Sequence, residues 1–73
     1  MILRFNDDSE FYIDMKKVEY IKILLYKEQE NQKIFEVCFT TKHNETTIYV
    51  TEQQKESIIK EWRNYHERSS YCG

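Results

Sequence analysis

The sequence predicts an α+β domain, an antiparallel β-meander of three to five strands with one C-terminal α-helix packed on one face. Three observations predict it. Over residues 1–50, short runs rich in Ile, Val, Phe and Tyr alternate with polar clusters, the pattern of half-buried strands joined by turns. From Thr51 onward the apolar residues recur every three to four positions, the period of a helix. The chain has 73 residues, which is one domain's length. A domain of about this size buries only roughly 60% of its unfolded surface, so a deep substrate cleft would consume core it can hardly spare.

The elements follow in order. Met1 to Phe5 is a short apolar run, Asn6-Asp7-Asp8-Ser9 a turn cluster, and residues 10–14 (Glu-Phe-Tyr-Ile-Asp) a second run, which together read as a hairpin. Residues 18–28 read as a strand because they are rich in Ile, Val and Tyr. Ile21, Ile23 and Leu25 then share one face, and Tyr20, Leu24 and Tyr26 the other. The same stretch also fits a helix capped by Asp14, with Val18, Ile21 and Leu25 as its stripe, since short apolar runs satisfy both periods. Glu28 to Lys33 reads as a polar loop. Residues 34–42 form the next strand, with Phe35, Val37 and Phe39 on one face and Ile34, Cys38 and Thr40 on the other. Residues 46–50 (Thr-Thr-Ile-Tyr-Val) complete the meander after a turn at Lys42 to Glu45. There is no Pro, and the one Gly is Gly73, so Asn, Asp and Ser must make the turns.

The helix is expected over about residues 52–68. Thr51-Glu52-Gln53-Gln54 matches the capping box, in which the Thr hydroxyl and the Gln side chain each satisfy a free backbone N–H. Ile58, Ile59, Trp62, Tyr65 and His66 fall on one stripe, with Ile58, Ile59 and Trp62 as the core contacts. Glu56–Lys60 and Arg63–Glu67 stand four apart and can pair. Ser69 to Gly73 reads as a frayed tail.

Charge and cysteine usage narrow the function classes. The net charge is −2, without the basic excess usual for a nucleic-acid binder. Two widely separated cysteines fit reduced thiols in a cytoplasm, although one Cys38–Cys72 disulfide is compatible with the sequence. No signal peptide and no apolar run of membrane-spanning length is recognisable.

Four constellations carry residue types capable of chemistry. Cys38 with His43 or His66 could form a nucleophile and base, but a mid-strand Cys ordinarily behaves as a small apolar residue. Cys38-x4-His43 and His66-x5-Cys72 contain zinc-ligand types without the tight Cys-x-x-Cys pair, so no metal and no cofactor is expected. Asp7, Asp8 and Glu10 form an acidic cluster in a turn, which is either a solvated turn or a patch for a basic partner. Lys55, Lys60, Arg63 and Arg68, interleaved with Trp62, Tyr65 and His66, could meet a single-stranded nucleic acid, but acidic residues of the same helix offset them. No arrangement here points to catalysis.

The six tyrosines are more than this core needs. Alternation places Tyr26 and Tyr49 on the sheet face away from the helix, beside Ile34 and Cys38. Tyr offers large contact area at low entropic cost, so this open face reads as a dimer contact or a partner site, with scattered surface aromatics as the plain alternative.

Two resemblances bear on function. Phe5-Asn6-Asp7-Asp8-Ser9-Glu10-Phe11-Tyr12-Ile13-Asp14, then Val18-Glu19-Tyr20-Ile21, then Ile48-Tyr49-Val50-Thr51-Glu52 followed by Ile58-Ile59 resembles the pattern of small bacterial proteins of the flagellar FlbD type over about residues 1–60. The turn here lacks the usual Gly, the central strands are longer and the helix extends further. That resemblance implies the meander-plus-helix fold and a structural or dimerising accessory role. The bias toward Lys, Glu, Asn and Ile, with the short length, also resembles small phage and mobile-element proteins, some of which inhibit host machinery, anti-CRISPR proteins included. The resulting expectation is a non-catalytic, cytoplasmic protein-binding module of inhibitor type. It would mask a protein partner through Asp7, Asp8, Glu10, Tyr26 and Tyr49. The alternative is a small nucleic-acid-binding regulator using Lys60, Arg63 and Arg68.

Overall fold

The computed structural model describes residues 1–71, with side chains through His66. The elements are β1 (Ile2–Arg4), β2 (Glu10–Tyr12), a 3-10 turn (Met15–Lys17), β3 (Tyr20–Gln29), β4 (Gln32–Thr40), β5 (Glu45–Thr51) and α1 (Glu52–Tyr71). The α+β class is as predicted, with the strands divided between two sheets. β1 and β2 form a two-stranded hairpin, and β3-β4-β5 a three-stranded antiparallel meander.

The first hairpin closes through Asn6-Asp7-Asp8. The Asp8 N–H donates to the Phe5 carbonyl at 3.1 Å and the Phe5 N–H to the Ser9 carbonyl at 3.0 Å. Asp8 sits at φ 67°, the left-handed position that such three-residue loops usually give to Gly. Asp tolerates it better than most residues.

The ambiguity over residues 15–27 resolves into both elements at different scales. Asp14 does cap a helix, accepting from the Lys16 N–H at 3.1 Å. That helix lasts a single 3-10 turn, and the strand begins at Tyr20. The strand prevails because β4 supplies a matching apolar row: Ile21 opposes Phe39, Ile23 opposes Val37 and Leu25 opposes Phe35. The expected loop at residues 28–33 is shorter than predicted. Gln29 pairs with Gln32, which leaves Glu30-Asn31 as a two-residue turn with Glu30 at φ 49°. Polar side chains do not prevent a ladder whose hydrogen bonds are all backbone. The β3–β4 ribbon therefore runs on past the sheet, and the molecule measures 45 × 23 × 18 Å.

The core lies between the inner face of the meander and a cover made by the hairpin, the 3-10 turn and α1. Leu3, Met15, Val18, Val37, Phe39, Val50 and Ile58 are buried, and Phe11 stacks on Phe39 with centroids 5.8 Å apart. The capping box forms in full: the Gln54 N–H donates to Thr51 Oγ1 at 3.2 Å, and the Thr51 N–H to Gln54 Oε1 at 3.0 Å. On α1, Ile58 is buried and Ile59 and Trp62 half-buried. Tyr65, expected on the apolar stripe, is exposed instead. Glu56 pairs with Lys55 at 3.4 Å rather than with Lys60. The side chain of Glu67, and hence its expected pairing with Arg63, lies outside the described residues.

Candidate functional site

The outer face of the meander carries no covering element among the described residues. β4 places Ile34, Glu36, Cys38 and Thr40 on it. Register then brings Tyr20 opposite Thr40, Lys22 opposite Cys38 and Leu24 opposite Glu36 from β3, with Tyr49 opposite Glu36 and Thr47 opposite Cys38 from β5.

Tyr26 and Tyr49 come together on this face. Their ring centroids are 4.7 Å apart at 54°, although the two residues lie on the outer strands of the meander with β4 between them. Alternation puts both on this face, and a β-bulge lies at Tyr26. Leu25 pairs with Phe35 and Lys27 with Ile34, so Tyr26 is the extra residue. An inserted residue bends and twists its strand and re-aims side chains. Tyr49 is fixed further by its hydroxyl, which donates to Glu36 Oε1 at 3.2 Å. Partial burial of the hydroxyl, then that hydrogen bond and the Glu36 charge, raise the Tyr49 pKa above the ordinary 10.0. The pair is nonetheless accessible, Tyr26 at 60% and Tyr49 at 48% exposure. It is a positioned aromatic platform offered to solvent.

The hairpin that carries the acidic turn reaches Tyr49, although Asp7, Asp8 and Glu10 do not line the groove between them. Arg4, Phe5 and Asn6 from the hairpin share a groove of about 190 Å³ with Ile34, Tyr49 and Gln54. Its charges are largely occupied within the hairpin. Asp7 Oδ1 accepts from the Ser9 backbone N–H at 3.1 Å and from the Ser9 hydroxyl, and these bonds hold its pKa below the usual 3.8. Glu10 lies 3.7 Å from Arg4 and accepts from the Tyr12 hydroxyl at 3.2 Å. Of the three expected acidic contacts, Asp8 alone has no side-chain partner among the described residues. The structure thus joins Tyr26 with Tyr49, and puts Asp7, Asp8 and Glu10 on the neighbouring hairpin as a turn that mainly satisfies itself. Glu36 was missed by sequence reasoning. It alternates onto the same face as Ile34 and Cys38, so parity alone could have found it.

The basic helix offers less than its sequence suggested. Lys60 and Arg63 are exposed, but the aromatic rings beside them are engaged elsewhere. Trp62 Nε1 donates to the Val18 carbonyl at 3.1 Å, and His66 Nε2 lies 3.1 Å from the Met15 carbonyl. Tyr65 remains accessible, with Lys16 Nζ 5.9 Å from its ring centroid. The Arg68 side chain lies outside the described residues.

The Cys and His constellations disperse. The Cys38 thiol donates to Glu45 Oε1 at 3.3 Å, and His66 turns inward. Cys72, and with it the Cys38–Cys72 and His66–Cys72 combinations, lies outside the described residues. Among the described residues no three His, Cys, Asp or Glu side chains converge, and no helix is long and apolar enough to cross a membrane.

Compared with known protein families, with characterised proteins and with solved structures, the chain matches none. Its function is therefore read from this geometry alone.

Proposed function

We propose that the chain is a protein-binding module without chemistry of its own, which acts by covering a partner's surface with the outer face of its meander. The observation that carries this reading is the Tyr26–Tyr49 platform: two accessible aromatic rings in contact across β4, Tyr26 at a bulge and Tyr49 hydrogen-bonded to Glu36. Scattered surface tyrosines would not need such support. Rigid, accessible aromatic side chains supply the anchors of protein interfaces, because they bury much area for few frozen torsions. Asp8, in the turn of the hairpin whose Arg4, Phe5 and Asn6 share a groove with Tyr49, adds a charge that favours a partner with basic residues. An inhibitor of the phage or mobile-element kind, anti-CRISPR proteins included, is the functional class that such masking suits. A structural or dimerising accessory protein of the FlbD-like kind would use the same face.

The test is affinity capture of the tagged chain from a bacterial lysate, with and without nuclease, beside a Tyr26→Ala/Tyr49→Ala variant. One stoichiometric protein partner, kept after nuclease and lost from the variant, is expected. A partner retained by the double variant would remove the platform from the mechanism. Material lost on nuclease treatment would transfer the role to Lys60, Arg63 and Arg68.

A further inference from the structure

The second unpartnered feature is an edge rather than a face. β3 bonds to β4 on one side only, and no strand covers its other side among the described residues. It is ten residues long, and four of the chain's large exposed apolar side chains lie on it: Tyr20 at 66%, Leu24 at 48%, Leu25 at 53% and Tyr26 at 60%. Natural edges are blunted by Pro, by shortness, by charge or by bulges, because their free N–H and C=O groups otherwise recruit another strand. Of these devices, the stretch from Tyr20 to Leu25 has one charge, Lys22, and the bulge comes only at its end. The opposite edge, β5, is different: it is shorter and largely polar, with Glu45, Thr46, Thr47 and Thr51.

We infer that β3 pairs with β3 of a second copy, antiparallel about a two-fold axis at Ile23, to make one six-stranded sheet. Two-fold strand pairing is self-complementary by construction, and the side chains choose the register. Residues directly opposite must share a face, so the axis falls on a residue. An axis at Lys22 would set the two Lys22 ammonium groups against each other, which like-charge pairing disfavours. An axis at Ile23 centres the pairing on the exposed apolar stretch 20–26, setting Ile23 against its counterpart, Ile21 against Leu25, Lys22 against Leu24 and Tyr20 against Tyr26, with no like charges opposed. With about 150–250 Å² for a whole aromatic side chain, the exposed parts of the four apolar residues come to roughly 500 Å² per copy. Edge pairing covers the flanks of side chains that stand on the two sheet faces, so the pair buries at most roughly 1,000 Å² from them, the lower limit of a specific interface, and the backbone edge adds to it. Tyr26 belongs both to this edge and to the partner-binding face, so the two readings compete for it, but the purified chain alone tests the pairing.

The experiment is sedimentation equilibrium of the purified chain from about 1 μM to about 1 mM, with Leu24→Lys and Leu24→Glu beside it, and far-UV circular dichroism to check the fold. Leu24 is half exposed on the outer face, so both variants should fold. The wild type is expected to reach twice the 9.1 kDa chain mass. Leu24→Lys places an ammonium opposite Lys22 twice per dimer and should weaken association roughly tenfold or more. Leu24→Glu places a carboxylate there and should retain the dimer, with an affinity that falls as salt rises. A wild type that stays at 9.1 kDa throughout, a mass that climbs past the dimer, or two variants that behave alike would each overturn the pairing.

Discussion

The indole N–H of Trp62 donates to the backbone carbonyl of Val18 at 3.1 Å, linking positions 44 residues apart. Val18 is fully buried, and one turn further along α1 His66 contacts the Met15 carbonyl. These two bonds dock the helix onto the 3-10 turn that precedes β3. Trp62→Phe keeps most of the apolar contact and removes the donor, leaving the carbonyl without its partner. The expected cost is about 1–3 kcal/mol. It should appear as a lower urea midpoint at unchanged slope, followed by far-UV circular dichroism because the variant loses the chain's one Trp. An unchanged midpoint would mean that solvent replaces the indole without loss.

Gln54 serves two elements at once. Its Oε1 accepts from the Thr51 N–H at 3.0 Å, and its Nε2 donates to the Arg4 carbonyl at 3.1 Å. It therefore caps α1 and ties the helix start to the first hairpin. Gln54→Glu keeps the capping oxygen and places an acid in the first turn, which the helix dipole favours, but it cannot donate to Arg4. Gln54→Ala loses both bonds, at about 0.5–1.5 kcal/mol each. Thermal melts should rank wild type above Gln54→Glu, and Gln54→Glu above Gln54→Ala. If the Glu variant melts with the wild type, the Arg4 bond contributes nothing in solution.

How far the sequence could be read depended on the range of the interaction. The Thr51/Gln54 box is written within four residues, and it formed as expected. The face assignments of Phe35, Val37 and Phe39 followed from alternation alone. Residues 15–27 were ambiguous because Asp14 signals a cap whether the helix lasts one turn or three. The deciding term was the apolar row on β4, which lies in another segment. The bulge at Tyr26 has no Gly or Asn to announce it. It lies where the three-stranded sheet gives way to the two-stranded β3–β4 ribbon, at the last β4–β5 pair, Ile34 with Thr51. The acidic cluster was legible as a turn, but the extent to which Ser9, Arg4 and Tyr12 occupy its carboxylates required the hairpin's geometry.

Glu30 identifies a site where stability can be gained. It opens the two-residue turn between β3 and β4 at φ 49°, a conformation that costs an ordinary L-residue about 1–2 kcal/mol. Gly pays no such steric cost but loses more backbone entropy on folding. The balance favours Glu30→Gly by about 0.5–1 kcal/mol, read as a higher urea midpoint. Glu30→Ala keeps the clash and should gain nothing. Asp8→Gly, at φ 67°, should gain less than Glu30→Gly, since Asp already tolerates the left-handed region.

Tyr49 carries a pH signature of the aromatic platform. Burial of its hydroxyl, the hydrogen bond to Glu36 and the Glu36 charge all raise its pKa above 10.0 in the folded chain. Below 10.0 the phenol is neutral whether the chain is folded or not, and whatever the platform contributes to stability is intact there. As pH rises past 10.0 the unfolded chain ionises first. The folded state then loses stability until its own raised pKa has been passed. A ring-carbon NMR titration should place the Tyr49 midpoint above 10.0, and Glu36→Gln should lower it while burial keeps part of the shift. Tyr49→Phe should remove this residue's share of the alkaline loss of stability. A midpoint that Glu36→Gln leaves unmoved would show that the hydroxyl does not rest on Glu36 in solution. The platform would then be a chance contact between two surface rings, and its claim to be a built interaction site would fail with it.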